Sequence, residues 1–227
     1  MNSSAKFIVW DWNGTLFDDF DAMLTCNNII FERFGHAPST PDTYRQHYEI
    51  PFSALLRNQG FKDDEVAALD ELSKEIFHDQ YEPHAASINL REGAEELLRD
   101  ASKYGIQSLI LSNHLVEPIR AQLKRLKIDH LFAEVLAYAN RGVQFRDMTK
   151  GEKLRHYMKN QPVRAGNTLI VGDSTEEIEI ARTQGLISVA ITGGCVSEAR
   201  LRAEKPDYVI HSMRDLKPIL QERGFVS

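Results

Sequence analysis

The hexapeptide Asp11-Trp12-Asn13-Gly14-Thr15-Leu16 directly follows an apolar run, Lys6 to Trp10, and so sets a carboxylate at the end of a short strand. Open α/β sheets bind ligands at that edge. Gly14 lets the chain turn tightly, and neighbouring N–H groups can then cradle a phosphate oxygen. The same turn has a local reading, in which the Asp and Asn side chains satisfy nearby backbone groups. Ser112-Asn113-His114 ends a second apolar run, Gln107 to Leu111, and offers a hydroxyl and an amide that can donate to a phosphoryl oxygen or cap a helix. A third run, Thr168 to Val171, leads into Gly172-Asp173-Ser174-Thr175-Glu176-Glu177, with acids at a strand end and a helix start. Dipole compensation explains one acidic helix start. It does not explain two carboxylates and a hydroxyl at three strand ends. Lys150 supplies a cation at the start of the preceding helix, with Lys153 one turn later as the competing candidate.

The elements that must position these groups alternate. Strand-like runs at Lys6–Trp10, Gln107–Leu111, Glu134–Ala137, Thr168–Val171, Ile187–Ile191 and Tyr208–Ile210 are separated by helical patterns at Gly93–Tyr104, Val116–Leu126, Lys150–Lys159, Glu176–Gln184 and Ser197–Ala203. That rhythm predicts an α/β fold, a Rossmann-like doubly wound parallel sheet with helices on both faces. From Phe17 to about Leu90 the rhythm breaks. Ala22–Phe34, Thr40–Tyr48, Phe52–Asn58 and Asp63–Tyr81 read as amphipathic helices punctuated by Pro38, Pro41, Pro51 and Pro83. The expected division is a discontinuous core, 1–16 and 91–227, with a helical insertion over 17–90.

Composition narrows the partners. Lys plus Arg is 27 against 33 for Asp plus Glu, a formal charge of -6, so no nucleic-acid or membrane partner is expected and an anionic ligand needs a local site. With 42% hydrophobic and 26% charged residues the chain is globular, not disordered. Cys26 and Cys195 show no CxxC or metal-finger spacing, which fits free thiols in a reducing compartment. The polar start Met1–Lys6 and the short run ending at Asp11 lack the length of a signal or membrane segment, so a cytoplasmic location is expected. Oligomeric state is not set by the sequence.

Asp11-x-x-Gly14-Thr15-Leu16, Ser112-Asn113, Lys150 and Gly172-Asp173-Ser174-x-x-Glu177, in that order, resemble the four motifs of the haloacid dehalogenase superfamily. The insertion is similar to its C1 cap, and the segment from Gly172 to Leu220 is most similar to the phosphoglycolate phosphatase branch. The resemblance implies a phosphatase for a small phosphorylated metabolite. Asp11 would attack phosphorus and form an aspartyl-phosphate. Mg2+ would be held by Asp11, the Asn13 carbonyl and Asp173, with Glu177 reaching it through water. Gly14, Thr15, Ser112, Asn113, His114 and Lys150 would meet the phosphoryl oxygens.

One departure stands out: the family normally has a second Asp where this chain has Asn13, and an amide can neither protonate a leaving alcohol nor activate water. Substrates with good leaving groups, another acid or base such as His114, an engineered change, or loss of turnover in a phospholigand-binding protein would each account for it. Phosphonoacetaldehyde hydrolase-like enzymes, which cleave a P–C bond, also lack that Asp and use a cap lysine instead; Lys62 and Lys74 are the lysines of the insertion. Tyr44 to Tyr48 and Arg57 offer cationic and aromatic groups for reading a carboxylate or a second phosphate, or an ordinary solvated helix face.

Overall fold

The structure is a computed structural model that describes residues 5–141, 148–159, 161 and 163–226, without the side chains of 70–75 and 163–165. Most of the polar start and the side chain of Lys74 lie outside that description. The sheet strands are β1 (Ala5–Trp10), β2 (Gln107–Leu115), β3 (Phe132–Tyr138), β4 (Val163–Gly172), β5 (Ile187–Ile191) and β6 (Tyr208–Ile210). All neighbours are parallel, in the order β3-β2-β1-β4-β5-β6. The order reverses between β1 and β4. Strand C-termini diverge at such a switch point and leave a crevice there.

Side-chain alternation explains why these runs are apolar throughout. In β1, Ile8 and Trp10 enter the hydrophobic layer on one face of the sheet, while Phe7 and Val9 enter the layer on the other. All four are fully buried, which fits a parallel strand covered by helices on both sides. Each such burial stabilises the fold by roughly 1.5–3 kcal/mol. The covering helices are α5 (Ala94–Lys103), α6 (Val116–Arg125), α7 (Lys150–Met158), α8 (Thr175–Gln184), α9 (Glu198–Ala203) and α10 (Leu216–Glu222). The last buries Leu216, Ile219 and Leu220 and was not anticipated from the sequence.

Residues between β1 and β2 form α1 (Phe20–Arg33), α2 (Pro41–His47), α3 (Phe52–Asn58) and α4 (Asp63–Ala85). Pro83 was expected to end the last of these, yet α4 runs past it to Ala85. The two chain segments that lead into and out of this insertion are paired: Arg91 N–H donates to the Leu16 carbonyl at 2.9 Å, Asp18 N–H to the Asn89 carbonyl at 3.1 Å, and Phe17 bridges Leu90 antiparallel. Arg45 of α2 donates from Nε to the Gly194 carbonyl at 2.9 Å, and Arg200 of α9 donates to Glu49 at 2.7 Å, so the insertion rests on the segment beyond β5.

A second difference concerns β2, which continues through Ser112-Asn113-His114 to Leu115 instead of stopping at Leu111. The N-cap of α6 is therefore Leu115, and Ser112 and Asn113 do not cap the helix. Cys26 and Cys195 are buried and free. No helix among the described residues is long and apolar enough to cross a membrane.

Candidate active site

Asp11 leaves β1 with its N–H donated to the Val171 carbonyl of β4 at 2.9 Å, which holds it at the switch point. Asp173 leaves β4 beside it. Its Oδ1 accepts from the Thr15 hydroxyl at 3.0 Å and its Oδ2 from the Cys195 N–H at 2.6 Å. Lys150, the first residue of α7, is buried and donates from Nζ to Asp11 Oδ1 at 2.6 Å and to Glu177 Oε1. Lys153 is also buried, but its ammonium lies over the Tyr138 ring, 3.0 Å from the centroid. Of the two lysines, it is Lys150 that reaches the acids.

Glu177 works as a brace. Its Oε2 accepts from the Ser174 hydroxyl at 2.7 Å and the Ser174 N–H at 3.2 Å, the reciprocal cap of α8, while Oε1 holds Lys150. Both oxygens are engaged. Backbone with no side chain makes the approach: a Cβ on Gly172 would lie 2.2 Å from Glu177 Cγ. Gly14 has φ near +70°, and a Cβ there would sit 2.5 Å from Asp173 Oδ2.

Gly14 and Thr15, expected at the phosphate, have partners within the turn and at Asp173. The Gly14 N–H donates to Asp19 Oδ1 at 2.6 Å, and the Thr15 hydroxyl is spent on Asp173. These contacts close the turn against two neighbouring carboxylates. Ser112, Asn113 and His114 do line the central cavity, although Asn113 also donates to Glu176 at 2.6 Å and the Ser112 hydroxyl accepts from the His114 N–H at 3.1 Å.

The Asn13 amide has partners that the sequence did not disclose. Its Nδ2 donates to Asp19 Oδ2 at 2.6 Å and to the Tyr81 hydroxyl at 2.7 Å, and Tyr81 in turn donates to Asp19. Asp19 is fully buried, and burial pushes its carboxyl up to about 6 despite the hydrogen bonds from Asn13, Tyr81 and Gly14 that favour the charged form. Asp19 follows Asp18 in a stretch that reads as an ordinary acidic helix start, so its position was the available signal. Tyr81 arrives from α4, far along the chain.

A cavity of about 390 Å³ opens over these groups, between the sheet edge and the insertion. Tyr44, Tyr48, Phe52, Phe77 and His78 of the insertion line it. The expected cationic readers do not: Arg45 is bound to the Gly193 and Gly194 carbonyls, and Arg57 pairs with Asp63 at 2.9 Å. Lys150 is the one Lys or Arg among the described lining residues. Lys62 is an exposed residue before α4 whose N–H is capped by Glu65, and it does not line the cavity.

Electrostatics favour a cation. Burial pushes Asp11 well up, with Lys150 opposing and Glu177 and Asp173 adding to the rise. Asp173 is likewise raised by burial, against the Cys195 N–H. Three buried carboxylates, Asp11, Asp173 and Glu177, thus face one ammonium, and the hard oxygen donors of the first two suit Mg2+. At the other wall, burial lowers His114 while Glu82 beside it opposes. Burial raises Glu82, but the hydrogen-bonding imidazoles of His114 and His78 outweigh it and hold the acid at about 2.

Comparison with known proteins fits this arrangement. The family model for haloacid dehalogenase-like hydrolases matches residues 8–191. A pyrophosphatase, PpaX, from Bacillus cereus is 24% identical over 92% of this chain and 97% of its own. A phosphoglycolate phosphatase from Synechococcus elongatus is 26% identical over 92% of this chain and 94% of its own. In fold, a haloacid dehalogenase-like family hydrolase from Streptococcus pneumoniae superposes with a TM-score of 0.78 at 20% identity, covering 96% of this chain and 100% of that one. Because the family model spans most of the length and not a single motif, the chain belongs to the haloacid dehalogenase-like hydrolases.

Proposed function

We propose that the chain is a Mg2+-dependent phosphatase for a small phosphorylated metabolite, acting through an aspartyl-phosphate on Asp11. The observation that carries this reading is the buried Lys150 ammonium 2.6 Å from Asp11 Oδ1, at the sheet edge where Asp173 also ends. Asp11, the Asn13 carbonyl and Asp173 would hold Mg2+. When bound, the ion neutralises charge on the phosphoryl group and lets an anionic nucleophile approach it.

The residues of the chain divide the remaining work. Lys150 opposes the rise that burial imposes on Asp11 and offers positive charge to the phosphoryl oxygens in the transition state. Glu177 positions Lys150. Ser112 and Asn113 orient the phosphoryl group at the end of β2. An Asp11 oxygen forms the bond to phosphorus as the ester oxygen departs with its electron pair; water then attacks phosphorus and releases Asp11 and phosphate. Residues 17–90 act as the cap that encloses the substrate. Among the described residues the lining from the insertion is largely aromatic and Lys150 is the one Lys or Arg, which favours a phosphomonoester whose leaving group is uncharged and partly apolar. That differs from the substrates in the names of the two relatives, both of which carry a second anionic group.

Asn13 supports a second reading. Its amide is fixed by Asp19 and Tyr81 and moves no proton, as in a phospholigand-binding protein with impaired turnover. Mg2+-dependent phosphate release from an aryl phosphate separates the two. The phosphatase reading expects release that Asp11→Asn abolishes, together with a hydroxylamine-sensitive phosphoenzyme in the parent. Tight phosphate binding without release selects the second reading. Release undiminished in Asp11→Asn overturns the assignment of the nucleophile.

A further inference from the structure

His78 and Glu82 stand one helical turn apart on α4, an i, i+4 spacing that puts both on one face. That face meets His114 near the end of β2. His114 Nε2 lies 3.2 Å, and His78 Nδ1 3.6 Å, from the same oxygen, Glu82 Oε1. The three donor atoms all fall within 4.8 Å of one another. Zinc bonds of about 2.0–2.1 Å arranged tetrahedrally put neighbouring donors roughly 3.4 Å apart, a value between the two separations here. Both imidazoles are buried, and Glu82 Oε1, which both of them face, is shut off from solvent.

We propose that His78, Glu82 and His114 form a site for a borderline-soft divalent cation of the Zn2+ or Co2+ class, separate from the oxygen-donor site at Asp11 and Asp173. Two imidazoles and one carboxylate suit these ions and discriminate against Mg2+, which prefers oxygen donors and its own waters. Three protein ligands leave a fourth vertex for water or an anionic group of a ligand. His78 and His114 line the cavity, so that vertex is supplied from the cavity side. The ligands come from both sides of the cavity: two from the insertion and one from the sheet. A bound ion therefore ties the insertion down over the acids.

The test is a Co2+ titration of the full metal-free chain, with excess Mg2+ present to occupy the oxygen site. The expected result is one equivalent of Co2+ with the intense visible bands of four-coordinate geometry, displaced by Zn2+ and not by further Mg2+. His78→Asn and Glu82→Gln should each weaken binding by at least about 100-fold, since even outer-sphere changes cost 10–100-fold. Asp173→Asn should keep the bands. A parent chain without intense bands overturns the site, independently of how any variant folds. Equal binding by the parent and folded His78→Asn and Glu82→Gln, or loss of the bands in Asp173→Asn alone, does the same. None of these results bears on phosphate release, so the phosphatase reading stands or falls separately.

Discussion

Restoring a carboxylate at position 13 is the direct probe of the missing proton-transfer group, and the structure says that the single change Asn13→Asp is the wrong way to make it. Asn13 Nδ2 is 2.6 Å from Asp19 Oδ2. A carboxylate oxygen in that place puts two unit charges at the same separation, a repulsion of roughly 6 kcal/mol at an effective dielectric of 20. At 1.36 kcal/mol per pKa unit this corresponds to about four to five units, so the pair keeps one proton at neutral pH. That proton bridges residues 13 and 19 instead of facing the substrate. Exchanging the two side chains, Asn13→Asp with Asp19→Asn, preserves one amide and one carboxylate and removes the repulsion. The double variant should therefore exceed both the parent and Asn13→Asp in turnover of alkyl phosphates, by up to about 10²- to 10⁴-fold. Aryl phosphates should gain least. Initial rates across esters of graded leaving-group basicity read this as a flattened dependence on that basicity. If Asn13→Asp alone matches or exceeds the exchange, Asp19 does not govern residue 13; if neither accelerates alkyl esters, the proton is handled elsewhere.

Asp19 also sets a pH dependence. Its folded carboxyl, at about 6, lies above the ordinary 3.8, so the folded chain binds the extra proton and loses stability as pH rises across that window. The stability advantage of Asp19→Asn over the parent, from denaturant titrations, should grow between pH 4 and 7 by up to about 3 kcal/mol; a pH-independent difference refutes the shift. Gly172→Ala should cost about 1–3 kcal/mol of stability and lower kcat by pushing Glu177 from beneath Lys150, and an unchanged kcat would disconnect that brace from catalysis. Asp173→Ala should shift the Mg2+ activation curve to higher concentration; superimposable curves would remove Asp173 from the metal site.

The parallel sheet was legible because its central strands are buried on both faces and thus read as uninterrupted apolar runs, each ending at an acid or a hydroxyl. Asp11, Asp173 and Lys150 could be proposed as a group because strand and helix ends return to one edge of such a sheet. Pro83 misled because a proline is read as a stop, whereas α4 continues two residues past it. Arg45 misled for another reason. Charge in a helix facing the site suggests ligand binding, but here the guanidinium meets backbone carbonyls of the core, a docking contact invisible without the tertiary arrangement. Asp19 with Tyr81, and His78 and Glu82 with His114, depend on that same docking. The His78–Glu82 spacing was a readable hint; its third partner was not.

The paired segments at Leu16–Asp18 and Asn89–Arg91 have a mechanical consequence. Two independent tethers would allow the insertion to slide sideways, twist or lift. Joined by two backbone hydrogen bonds and a bridge, they form a short ribbon, which bends across its flat face more easily than it shears along its length. Any opening would thereby be reduced to something close to a page turning on its spine, and closure would return Tyr81 and His78 to the same places over the sheet edge. Adding a single residue to one side of the spine would slip the pairing by one and reverse the faces presented by Phe17 or Leu90. The lengths of the two crossings are thus tied to each other, even though neither touches the cavity.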